Sequence, residues 1–178
     1  MKTMFQMNRQ RRGWLLMSVA GGLAAAGLQA RAQDTAAAAP KVILTISGNV
    51  QKRAGTEAID FDLAMLVKLP QTSFHTKTPW YTKPRKFTGV LLKDLLASVG
   101  GAGSTLKAMA LNDYRAEIPA EDWLQHGAML AYLLDDKPMT VREKGPLVII
   151  YPFDDRREVR TAVHYSRAVW QLRSLELR

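Results

Sequence analysis

The apolar residues of this chain fall in short runs broken by turn residues, and no other feature limits the fold as much. Leu147 to Tyr151 is the most apolar run, Ala128 to Leu134 is nearly as continuous, and Val42 to Val50 is dense in β-branched residues before a Gly48-Asn49 turn signal. Branched side chains suit a pleated surface, so these runs read as strands. Ala58 to Phe61, Thr72 to Thr78, Thr105 to Leu111, Tyr114 to Ile118 and Val169 to Leu177 read the same way, with Asn112-Asp113 and Asp135-Asp136-Lys137-Pro138 as turns. Leu147 to Tyr151 is expected at the centre of the sheet.

Helical signals are few. Val90, Leu91, Leu92, Leu95, Leu96 and Val99 recur at three- to four-residue spacing after Thr88-Gly89 and stop at Gly100-Gly101, which predicts one amphipathic helix. Asp62 caps a shorter helix that Pro70 ends, Pro119 to Asp122 opens a helical turn, and Thr161 to Ala168 is a further short helix. Pro79 and Pro84 bracket Trp80-Tyr81-Thr82-Lys83 as a loop. Many short strands with a few short helices define an α+β class: a single domain with a mixed β-sheet.

Twenty-five basic residues against 16 acidic ones give a net charge of +9, a balance that at first suggests a nucleic-acid binder. The position of the charge argues otherwise. Residues 1–32 hold Lys2, Arg9, Arg11, Arg12 and Arg31 with no acid; removing those five leaves 20 basic groups against 16 acidic, a net +4. No nucleic-acid partner is expected of so mildly basic a body. The chain also has no cysteine, which excludes disulfides, thiolate nucleophiles and thiolate-held metal clusters.

The basic start continues into an uncharged apolar run from Trp14 to Leu28 and then Ala30-Arg31-Ala32. That is the order of an export signal, with cleavage expected before Gln33. The apolar run is about 15 residues, short of the ~20 that span a bilayer, so membrane contact is expected only in transit. Arg11-Arg12-Gly13-Trp14-Leu15-Leu16 resembles a twin-arginine signal, although Gln10 stands where Ser or Thr is usual. The expected division is residues 1–32 as signal, 33–41 as a flexible leader and 42–178 as the folded domain, placed in the periplasm.

No linear motif names a chemistry. His75, His126 and His164 are scattered with no metal-binding spacing, so no metal ligand is assigned from sequence. Asp135-Asp136 and Asp154-Asp155 are adjacent acids of the sort that build turns. Gly100-Gly101-Ala102-Gly103 follows a helix and does not cradle phosphate, which needs the glycines ahead of a helix. Arg156-Arg157-Glu158-Val159-Arg160 reads as a solvated face. Trp80 and Tyr81 in a proline-bounded segment either fold onto the core or meet a flat ligand or partner.

Taken in order, several segments resemble the oxidoreductase molybdopterin-binding domain of the sulfite oxidase type. They are Phe87 to Leu96, Ala110 to Tyr114 with Ile118-Pro119, Leu130-Ala131-Tyr132, Met139 to Leu147, Tyr151 to Asp154 and Tyr165 to Leu172. The resemblance covers residues 42–177 and is nearest to the small, stand-alone exported members. It implies a mixed α+β fold, and in the larger family a cysteine thiolate ligates the molybdenum. That cysteine lies roughly ten residues ahead of the segment matching Phe87-Thr88-Gly89, which lands near Thr76-Lys77-Thr78, where there is no thiol. The favoured expectation is therefore a non-catalytic module with no cofactor expected and no catalytic residue. It would bind a small anionic ligand or dock on a membrane or periplasmic partner. Its pocket candidates are Trp80, Tyr81, Asn112, Tyr114, Arg142 and Arg167, the polar and aromatic residues in or beside the matching segments. The alternative is an oxidoreductase that holds molybdopterin without a protein thiolate.

Overall fold

The computed structural model describes residues 41–51 and 57–178; the expected signal and nearly all of the leader lie outside them. Strands β1 (Leu44–Gly48), β2 (Ala58–Phe61), β5 (Thr105–Ala110), β6 (Arg115–Pro119) and β10 (Leu172–Leu177) form one five-stranded sheet, ordered β2-β1-β10-β5-β6. The second is built on β3 (Thr72–Thr78), β4 (Tyr81–Leu91), β7 (Met129–Leu134) and β8 (Lys137–Pro138), with β9 (Val148–Ile150) also paired to β7. The first sheet is mixed, because β1 and β10 run parallel while its other pairs are antiparallel. The mixed sheet expected from sequence is thus one of two, and every pairing in the other is antiparallel.

Burial follows the sequence pattern. Along β5 buried and half-buried residues alternate strictly, so Leu106, Ala108 and Ala110 face the core. β7 and β9 are buried almost throughout, which is why their sequences are continuous and not alternating. Buried residues of both sheets join one cluster with Leu92, Leu95 and Leu96 of helix α2 (Leu92–Ser98). Burying each such leucine contributes roughly 1.5–3 kcal/mol.

Several turns form as their residues dictate. Asp62 Oδ1 accepts a 2.7 Å bond from the Met65 amide and caps α1 (Leu63–Val67). Asp135 and Asp136 both take positive φ, 49° and 62°, and make the tight hairpin turn between β7 and β8, a conformation that aspartate tolerates better than most residues. α3 (Ala120–Leu124) and α4 (Ala162–Arg167) fall where helical turns were expected, and the Thr161 side chain caps α4.

Three sequence expectations need correction. Trp80 to Lys83 is not a loop: only Pro79-Trp80 turns, and β4 begins at Tyr81. Pro84, which lacks a ladder donor, is accommodated at the irregularity where the β3–β4 register shifts between Thr76 and Thr78. The helix expected from Val90 begins at Leu92, because Val90 and Leu91 continue β4 and pair with Leu130 and Met129 of β7. Leu147 to Tyr151 is not central to a sheet. β9 has one strand partner, β7, and its buried character comes from the other side, where the Ile149 amide bonds to the Val169 carbonyl and the Leu172 amide to the Leu147 carbonyl. None of the described helices is long and apolar enough to cross a membrane.

Candidate functional site

Two clusters of polar and aromatic side chains meet at α4, and they differ in chemistry. The first is an aromatic corner at the β3–β4 turn. The Trp80 ring stands edge-on to Trp170, with centroids 4.8 Å apart, and to Tyr165 at 6.2 Å. Tyr81 reaches Trp170 at 6.1 Å, and Tyr165 packs on Phe153 at 4.5 Å. Cations flank the rings: the Arg85 guanidinium lies 4.7 Å over Tyr81 and the Lys144 ammonium 5.6 Å over Trp170. Partial burial raises the Tyr81 pKa, against the pull of Arg85 and with help from the charges of Glu143 and Asp135. Thr78 Oγ1 and Trp170 Nε1 are buried here without a hydrogen-bond partner.

The second cluster is centred on Asp122 of α3, which is 1% exposed. Its Oδ2 accepts 2.7 Å from the Tyr151 hydroxyl, and Arg167 Nη1 lies 3.3 and 3.2 Å from the two carboxylate oxygens. Burial pushes the Tyr151 phenol far above its usual range, reinforced by the neighbouring carboxylate, so it stays a neutral donor. His164 Nε2 is 3.6 Å from Asp122 Oδ1, and the His126 ring sits 5.5 Å from the His164 ring. Burial also lowers the His164 pKa, opposed by the Asp122 charge and assisted by Arg167 and His126.

The six residues proposed from sequence do not form one pocket. Trp80 and Tyr81 share the aromatic corner. Arg142 is exposed on the 3₁₀ turn Val141–Glu143. Arg167 is held by Asp122. Asn112 and Tyr114 are turn residues. Asn112 Oδ1 accepts from the Tyr114 amide at 3.2 Å, and the Tyr114 hydroxyl donates to the Ser166 carbonyl at 2.8 Å. His75 is exposed on β3, while His126 and His164 converge.

Asp122 and Tyr151 do not stand out in the sequence as members of a site, and His126 and His164 enter only as two of three histidines that could converge on zinc. Asp122 looked like an acid at a helix start, and Tyr151 like the end of an apolar strand. The one usable signal was Asp-x-x-x-His, with Asp122 on α3 and His126 just beyond its C-terminal end. The paired acids are structural: Asp135 binds Arg85 at 2.5 Å, and Asp154 Oδ2 accepts from the Lys77 amide at 2.8 Å.

Fold and site together define a class of α+β proteins in which two sheets share one core. The chain matches the model of the oxidoreductase molybdopterin binding domain over residues 35–153, and it belongs to that family. Its fold is similar to that of the sulfane dehydrogenase SoxCD from Paracoccus pantotrophus, with a TM-score of 0.58 at 19% identity. The match covers 78% of this chain and 38% of that one, so this chain spans well under half the length of its structural neighbour. No curated protein is similar enough in sequence to count as a match.

The segment where the resemblance places the metal-ligating cysteine can be inspected directly. Thr76 is fully buried, and its Oγ1 accepts a 3.2 Å bond from the Asp154 amide. Lys77 is exposed, and Thr78 is buried with a free hydroxyl. Neutral alcohols are hard, weak donors, whereas molybdenum in this setting calls for a soft thiolate. These residues do not fit a thiolate-held molybdenum–pterin group.

Proposed function

We propose that this chain is a non-catalytic binding module of its family, exported to the periplasm, that takes a small anionic ligand with a flat body. One observation carries the reading: at the expected ligand position Thr76 is fully buried and its hydroxyl is already engaged by the Asp154 amide. The other hydroxyl of the segment, on Thr78, is a neutral alcohol as well, so the segment offers molybdenum no thiolate. The aromatic corner supports binding. Trp80, Tyr81 and Trp170 are half-buried, and Arg85 and Lys144 bring positive charge onto the rings.

The deciding experiment measures molybdenum and pterin in the full-length chain expressed in a molybdenum-replete bacterial host and purified natively. Molybdenum is read by mass spectrometry and pterin by fluorescence after oxidative release. A folded protein with neither supports the module. Near-stoichiometric amounts of both overturn it and establish the alternative, an oxidoreductase that retains molybdopterin without a protein thiolate.

A further inference from the structure

We propose that Asp122, His126 and His164 form a binding site for a divalent metal ion of the zinc class. One donor atom from each lies within 4.8 Å of the other two. Distance alone would not distinguish a metal site from a buried polar cluster; the hydrogen bonding of the two imidazoles does. His164 Nδ1 is 2.8 Å from Thr161 Oγ1, while its Nε2 is buried with no hydrogen-bond partner. His126 Nε2 is 3.5 Å from Glu121 Oε1, while its Nδ1 is likewise buried and unpartnered. Each ring thus has one nitrogen beside a side-chain oxygen and one buried nitrogen without a partner. Metal-bound histidines show this division, with the outer nitrogen held and the inner lone pair on the ion. The carboxylate is held too, by the Tyr151 hydroxyl on Oδ2, and its Oδ1 faces His164.

Donor chemistry selects the ion. Two imidazoles and a carboxylate suit Zn²⁺ and its borderline neighbours, and do not suit Mg²⁺ or Ca²⁺, which take oxygen ligands. Three protein ligands leave a fourth tetrahedral position for water. The side chains of His126, His164 and Asp122 are only 15%, 13% and 1% exposed, so the ion would be largely enclosed. Arg167 spans both carboxylate oxygens and its charge opposes a dication, which sets the affinity below that of the same three donors alone. The site ties α3 to α4, and bound metal stabilises the fold by mass action.

The test titrates Zn²⁺ into chelator-treated full-length protein by calorimetry, beside His126→Gln, His164→Gln and the control His75→Gln. One ion per chain is expected, with binding at least tenfold weaker in each of the first two variants and unchanged in the third. A Zn²⁺-dependent rise in Tm should be lost in the same two. A second measurement needs no variant: Co²⁺ added to the wild-type protein should shift the imidazole proton resonances of His126 and His164 and leave those of His75 in place. No binding, equal loss in His75→Gln, loss in only one of the two site variants, or Co²⁺ shifts confined to His75 would each overturn the site.

Discussion

The aromatic corner and the Asp122 cluster are separated by a single short helix, yet they place their charges differently. Around Asp122 both carboxylate oxygens are engaged, by a neutral phenol and a guanidinium. In the corner, the cations of Arg85 and Lys144 lie over the half-exposed rings of Tyr81 and Trp170. A buried charge persists only when it is compensated, so the Asp122 carboxylate with Tyr151 and Arg167 is part of what holds the protein together. Cations over half-exposed rings stay within reach of solvent and contribute less to the fold. The contrast separates a buried charge that must stay compensated from charges held over a half-open surface.

The largest effect should come from Asp122→Ala. It strands the Arg167 charge and the Tyr151 hydroxyl, and should cost about 3–5 kcal/mol in urea unfolding. A loss under about 1 kcal/mol would show that the cluster is not structural and would break the comparison. Thr76→Val keeps the shape but removes the acceptor of the Asp154 amide. We expect a loss of about 1–3 kcal/mol, read as a lower unfolding midpoint with unchanged slope. Trp80→Ala should cost only about 1 kcal/mol, because its edge-on contacts are half-exposed. If it instead destabilises as much as Asp122→Ala, the corner belongs to the core.

Asp135→Asn should be the mildest. Burial pushes the Asp135 carboxyl up, but the Lys86 amide and Arg85 outweigh it and hold the group below the usual carboxylate range. Its contribution is therefore present above the unfolded carboxylate pKa and fades as pH falls through the folded value. The pair is well exposed and screened, so the wild type should exceed the variant by less than about 1 kcal/mol at neutral pH. Urea midpoints that fail to converge in acid would argue against an ionic origin.

Much of the fold was legible because local chemistry and tertiary structure agree. Thr72 to Thr78 and Ala58 to Phe61 are strands with the expected limits, and Asp62 caps the helix it was expected to cap. Legibility fails where tertiary pairing overrides a local signal. Pro84 looks like a breaker until a register shift accommodates it, and Val90 and Leu91 look helical until β7 claims them. The site was legible in part. Trp80 and Tyr81 do share a neighbourhood through Trp170, whereas Arg167, Asn112 and Tyr114 make contacts within the scaffold. The meeting of Asp122 with His164 depends on two elements some forty residues apart, and no local pattern encodes that.

β9 carries a consequence for how the molecule comes apart. One edge of this three-residue strand belongs to the second sheet, and on the other the Ile149 amide and the Leu147 carbonyl bond to the segment that leads into β10 of the first. Neither sheet can open at that seam without breaking hydrogen bonds of the other. Denaturation should therefore be a single cooperative transition, and the Ile149 amide should exchange with solvent only when the whole domain unfolds.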